Sequence, residues 1–121
     1  MCPQCSPQHS TPAISWITTI ELTDNVSIQH ARNTGEFKIP NTRYKADGYC
    51  AETNTIYEFW GDFWHGNPLH HAADDINPIA KKTFGELYKK TQLKRAKIIE
   101  LGYNLVEIWE SDWSSMKVAA I

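Results

Sequence analysis

A mixed α/β fold, with a sheet of about four strands flanked by helices in the order αβββαβ, is what three patterns in this chain predict. Residues 80–101 repeat apolar side chains at helical spacing, with Phe84, Leu87, Tyr88, Thr91, Ile98 and Leu101 on one face and Gly102 as the stop signal. Residues 43–51 and 55–60 read as two strands joined by Glu52-Thr53-Asn54, a turn-like link that makes them a hairpin. Residues 103–109 alternate as a further strand, with Leu105 and Trp109 among the apolar positions. Strands and helices that follow one another in this way belong to a layered α/β core.

The remaining elements follow in order. Ser10-Thr11-Pro12 supplies an N-cap and an early-helix proline, which predicts a helix over about 11–22. Its buried stripe is expected to be Ile14, Ile17 and Ile20 or Leu22, with Trp16 at the edge, and Thr23-Asp24-Asn25 ends it. Residues 26–31 read as a short strand, and 32–40, with Asn33, Gly35 and Pro40, as a loop. From Gly61 to Pro78 the glycines and prolines leave no periodic pattern, so a long loop is expected there, of the kind that is functional or disordered. Residues after Trp113 read as an unstructured or weakly helical tail.

At 121 residues the chain has room for one sizeable core, and 41% hydrophobic and 21% charged residues suit a globular domain. No apolar run approaches bilayer length and no signal peptide opens the chain, so a cytoplasmic protein without membrane partners is expected. The formal net charge of -2 is neutral evidence about nucleic acid, because the distribution matters more than the sum. Lys81, Lys82, Lys89, Lys90, Lys94, Arg95 and Lys97 crowd the polar side of the long helix, and Arg43 and Lys45 precede Asp47. Such a helix face is either solvated or laid along DNA phosphates. Cys2-Pro3-Gln4-Cys5 has the spacing of a zinc ligand pair, half a Zn²⁺ site at most, and His9 is a candidate third ligand. Residues 1–9 are accordingly expected to be the remnant of an upstream zinc-finger-like segment, with the main domain over 10–121.

The densest chemistry lies in Tyr57-Glu58-Phe59-Trp60-Gly61-Asp62-Phe63-Trp64-His65-Gly66-Asn67-Pro68, with Asp47 upstream in Arg43-Tyr44-Lys45-Ala46-Asp47-Gly48-Tyr49. Metal-assisted phosphodiester cleavage needs carboxylates converging on a divalent ion. Mg²⁺, or Mn²⁺ in its place, takes oxygen ligands and keeps several waters, so one or two carboxylates suffice. Asp47 and Glu58, eleven residues apart on two strands joined by a short turn, meet that need. No lysine stands two residues after Glu58, where many nucleases place one; Trp60 does, on the same strand face as Glu58. The proton-transfer group is therefore sought elsewhere, and His65 is the natural candidate. Asp62 is either a further catalytic acid or a turn cap, and His70 and His71 are expected to be exposed loop residues.

Together these segments, with Gly102-Tyr103-Asn104-Leu105-Val106-Glu107-Ile108-Trp109-Glu110, resemble the very-short-patch-repair (Vsr-like) endonucleases. They look still more like the phage-type homing endonucleases described as the EDxHD family. Both families belong to the PD-(D/E)xK restriction-endonuclease-like superfamily, and the resemblance runs from about Ser10 to Trp113. It implies a restriction-endonuclease-like core and a metal-dependent endonuclease acting on double-stranded DNA in a bacterial or phage-infected cell. It also implies that Asp47 binds the metal, with the Phe59 carbonyl as a further ligand, and that His65 acts near the scissile phosphate. Phe63 and Trp64 match an aromatic pair that wedges between base pairs, a contact that offsets a few kcal/mol of lost stacking. Arg43, Lys45, Trp60, Lys89 and Lys90 complete the expected DNA-binding set. A cysteine knuckle often precedes the nuclease core in this family, which fits Cys2 and Cys5.

The chain departs from the family at two positions. Trp60 stands where Vsr-like enzymes have a second histidine, and Ala13 stands where a first-helix glutamate is expected, with Glu21 as the only substitute on that helix. An inactivated copy, or a non-catalytic DNA-binding module attached to a zinc finger, is therefore the alternative reading. Zinc deaminases are excluded because their His-x-Glu precedes the cysteine pair. A His-Asn-His nuclease drawn from His65, Asn67 and His70 would leave Asp47 and Glu58 unexplained. A single site cuts one strand per encounter, so a double-strand break would require a homodimer or two visits.

Overall fold

The computed structural model describes residues 11–119. Cys2, Cys5 and the rest of the expected upstream segment lie outside those residues. The chain divides into two compact units, Met1–Glu58 with Tyr103–Val106, and Phe59–Gly102 with Glu107–Ile121.

In the first unit, helix α1 spans Thr11–Asp24, with Pro12 in its first turn and Asn25 in the left-handed region at φ 55° just past its end. Its buried residues are Ala13, Trp16 and Ile17, while Leu22 is 81% exposed. The expected stripe is thus rotated, and Trp16 lies inside rather than at the edge. The cause is shape. Ile17 packs over Gly48, where a Cβ would lie 3.2 Å from its Cδ1, and Trp16 meets Tyr57 edge-on at 6.3 Å.

The strand expected at 26–31 is reduced to one bridge, Gln29 with Tyr49. The Asn33 side chain explains why: it accepts from the His30 amide at 2.8 Å and donates to the Ile28 carbonyl at 2.8 Å, folding the chain into a turn. The expected loop 32–40 contains a strand instead. β1 (Phe37–Lys38) pairs antiparallel with β2 (Lys45–Ala46) around a turn at Asn41, whose φ is 64°. β3 (Gly48–Cys50) pairs antiparallel with β4 (Thr55–Trp60), in the register Gly48–Tyr57, Tyr49–Ile56 and Cys50–Thr55. The strand expected at 43–51 is therefore split at Asp47, one half paired with β1 and the other with β4.

All six residues of β4 are buried, as befits the middle strand of the sheet β3-β4-β7, where β7 is Asn104–Trp109. The fold is mixed α/β, a mixed sheet flanked by helices, as the sequence predicts. Among the described residues the sheet has three strands, and 26–31 adds only a bridge to β3.

In the second unit, the loop expected at 61–78 is ordered by two buried asparagines. A short helix α2 (Asp62–His65) ends at Gly66 in the left-handed region, φ 67°. The Asn67 side-chain Nδ2 donates to Asp62 Oδ1 at 2.8 Å. Asn77 donates to the Phe63 carbonyl at 3.1 Å and accepts from the amides of Ile79 and Ala80. That turn closes a hairpin of β5 (Ile76–Asn77) and β6 (Lys82–Thr83). Residues 80–83 are thereby taken into a turn and strand, so helix α3 begins later than its apolar pattern suggests and spans Phe84–Glu100. Its start is a capping box: Thr83 Oγ1 accepts from the Glu86 amide at 3.1 Å, and Glu86 Oε1 accepts from the Thr83 amide at 3.0 Å. The expected tail is helix α4, Glu110–Ala119, anchored by buried Trp113. Among the described residues no helix is long and apolar enough to cross a membrane.

Candidate metal and DNA site

In the first unit, Asp47 occupies the point where the chain leaves β1 for β4. Continuing the β3–β4 register by one residue sets Asp47 opposite Glu58, and residues directly opposite on an antiparallel pair share a face. The switch of partners takes the Asp47 amide out of the ladder, and Glu58 Oε2 accepts from it at 3.0 Å. The structure thus brings Asp47 and Glu58 together. Asp47 is half-buried, whereas Glu58 is fully buried. Arg43 and Lys45, expected to contact DNA, are both exposed in this unit. Glu21, the acid on α1, accepts from the Ile28 amide at 2.9 Å and so holds the segment after its own helix.

In the second unit, His65 closes α2 and meets α3. Its Nδ1 lies 3.1 Å from Thr91 Oγ1, which in turn lies 3.1 Å from the Leu87 carbonyl. The Thr91 hydroxyl also lies 3.4 Å from the His65 carbonyl; when its one proton goes to either carbonyl, its oxygen accepts from Nδ1–H and the imidazole lone pair is on Nε2. The Trp60 ring stands edge-on to the imidazole at 5.0 Å, and Lys94 Nζ lies 5.6 Å from the Trp60 ring centroid. Burial, with the Lys94 charge second, pushes the His65 pKa down from 6.5 to about 4. The imidazole is accordingly neutral at pH 7, a proton acceptor rather than a donor.

A folded-state pKa below the unfolded one means that the unfolded chain binds more protons between pH 6.5 and 4. Stability from this group is then full above 6.5 and lost as pH falls toward 4. The full shift corresponds to about 3 kcal/mol, and the part of the ring still in contact with water reduces that figure. NMR titration of the imidazole is expected to give a midpoint near 4, raised in Lys94→Gln; a midpoint at 6.5 in both proteins would remove the neutral-histidine assignment.

The other expected site residues in this unit divide into packed and exposed. Asp62 Oδ1 accepts from the Asn67 side-chain Nδ2 and, at 3.2 Å, from the Ser111 hydroxyl, so this carboxylate braces its loop. Trp60 is 2% exposed and its indole N–H donates to Glu107 Oε1 at 2.8 Å, which makes it a packing residue with almost no surface to offer DNA. Phe63 is half-buried in a ring cluster with Trp64, His71 and Phe84, whereas Trp64 is 52% exposed. Of the expected aromatic pair, Trp64 is the ring on offer. Lys89 and Lys90 are exposed on α3; further along the helix Arg95 pairs with Glu107, and Lys97 with Glu100 at 3.6 Å.

Sequence reasoning missed the Arg95–Glu107–Trp60 triangle. Arg95 Nε donates to Glu107 Oε1 at 2.6 Å. The pair holds the Glu107 carboxyl below its usual range against the opposing effect of burial, the largest single influence on it. No local signal joins these three positions. Among the described residues, no three His, Cys, Asp or Glu side chains gather as a metal-binding group. No protein-family model matches the chain, and no curated protein matches it.

Proposed function

We propose that this chain is a divalent-metal-dependent endonuclease domain of the Vsr-like and EDxHD type, with a restriction-endonuclease-like core, that cuts phosphodiester bonds in double-stranded DNA. The observation that carries the reading is the Asp47–Glu58 pair, two carboxylates opposite each other where the ladder changes partner. Hard carboxylate oxygens suit Mg²⁺ or Mn²⁺, and two are enough for an ion that keeps most of its waters. When bound, the ion would supply positive charge against the reacting phosphate. The chain's own groups do the rest. Asp47 and Glu58 of the first unit would hold the ion, and His65 of the second unit, neutral at pH 7, is the candidate proton acceptor. Exposed Trp64 is the candidate wedge, and Arg43, Lys45, Lys89 and Lys90 are candidates for phosphate contacts. A Zn²⁺ half-site at Cys2 and Cys5 and a homodimer belong to the same reading.

A second reading, a DNA-binding module that does not cut, is favoured by the complete burial of Glu58 and by Ala13 on α1. Supercoiled plasmid separates the two. Nicked or linear product in Mg²⁺ or Mn²⁺, absent in EDTA, is expected for the nuclease. Duplex binding in Ca²⁺ without product in any metal selects the binding module, and neither activity nor binding would end both readings.

A further inference from the structure

We propose that a groove in the second unit receives a single unpaired DNA base. The groove has a volume of about 370 Å³, within the range of small-ligand pockets, and its walls combine ring faces with fixed polar groups. Tyr88 and Trp109 line it with ring planes 23° apart and centroids separated by 6.4 Å. Rings in face contact elsewhere in this protein lie far closer, Phe37 and Tyr49 at 3.8 Å and His71 and Phe84 at 4.0 Å. The Tyr88 and Trp109 faces are therefore not covered by each other. Trp60 also borders the groove, tilted 47° to Trp109 at 6.5 Å, but it is buried and offers a base almost no surface.

The polar wall is set in place by hydrogen bonds. Glu107 accepts from the Trp60 indole and from Arg95, and Arg95 Nη1 donates to Gln92 Oε1 at 3.2 Å. That last bond fixes the amide and leaves its NH₂ group as a donor to the groove, while the Asp112 carboxylate supplies an acceptor. Ring faces beside one donor and one acceptor match an unstacked base, which presents a π face and a hydrogen-bonding edge. The alternatives fit less well. A phosphate would meet two carboxylates, a cation would meet the Arg95 guanidinium, and a wholly apolar ligand would strand the Gln92 and Asp112 groups.

The inference rests on the reading of the chain as a DNA-acting protein, yet its test needs no cleavage. In EDTA, the affinity of the full chain is compared for two labelled single strands of equal length, one carrying bases and one abasic throughout, so that phosphates are matched. The base-bearing strand is expected to bind roughly ten-fold tighter, the scale of stacking one base on an aromatic ring. Tyr88→Leu should remove most of that difference. Asp112→Ala, at an exposed position in the first turn of α4, should weaken only the base-bearing strand, about three-fold, with the thermal melt confirming that the variant is folded. Equal affinity of the unaltered chain for the two strands, or no binding to either, overturns the proposal. So does a preference that both variants retain. A plasmid left uncut while the preference stands would remove the nuclease reading and keep this one.

Discussion

Gly66→Ala is expected to unfold the second unit or leave it barely stable, a loss of at least about 3 kcal/mol. Two effects add. Gly66 has φ 67°, a conformation in which a Cβ costs on the order of 1 kcal/mol. A Cβ built there would also lie 2.1 Å from the Phe84 carbonyl oxygen and 2.9 Å from the Tyr88 amide nitrogen. Both atoms are helix backbone, so neither can rotate aside as a flexible side chain would. The first turn of α3 would have to move away from α2, taking the capping box at Thr83 and the His65–Thr91 contact with it. Gly35 and Gly102 provide the controls. Their φ values are 98° and 93°, and nothing lies within 4 Å of a Cβ at either position. Alanine there is expected to cost only the backbone term. Thermal melts of the three variants should show a drop of roughly 10 °C or more for Gly66→Ala and a few degrees for the others. Equal melting temperatures would mean that α2 and α3 do not approach as closely as the glycine implies.

The parts of this fold that were legible in the sequence are those whose signal is local. The long helix, the last strand and the hairpin at 48–57 follow from periodicity and a turn, and each forms about where the pattern sets it. The start of α3 is misplaced by the sequence pattern, which begins the helix at Ala80, whereas it begins at Phe84 behind the Thr83–Glu86 capping box. The Asn77 side chain prevents the earlier start by closing a turn onto the amides of Ile79 and Ala80. The missed features depend on partners distant in the chain. Residues 26–31 have strand composition, but Asn33 competes for their backbone groups. The face of α1 is chosen by a glycine on β3 and not by the number of isoleucines. At the site, the eleven-residue spacing was enough to set Asp47 opposite Glu58. The burial of Trp60 was not legible, because it depends on Glu107 and Arg95, positions 47 and 12 residues apart from their partners in sequence.

Asp47→Asn is expected to reduce metal-dependent cleavage by at least about a thousand-fold while leaving the fold and duplex binding in place. The magnitude follows from losing a charged ligand to an ion that stabilises a transition state by several kcal/mol, at 1.36 kcal/mol per factor of ten. The selectivity follows from how closely asparagine copies aspartate. The Asp47 backbone amide donates to Glu58 Oε2, and asparagine keeps that amide while matching the side chain in size. Asp47→Asn therefore separates metal binding from folding in a way that Glu58→Gln cannot, since the Glu58 carboxylate is fully buried and holds the Asp47 amide. Glu58→Gln should lose cleavage and stability together. Duplex affinity measured in Ca²⁺ or EDTA should be unchanged or slightly higher in Asp47→Asn, because in the proposed complex the change removes a negative charge facing DNA phosphates. Calorimetric titration with Mn²⁺ is expected to show binding to the unaltered chain, weakened ten-fold or more in Asp47→Asn. Full cutting by this variant would show that the Asp47 carboxylate holds no catalytic metal, and the metal would have to be sought among other residues.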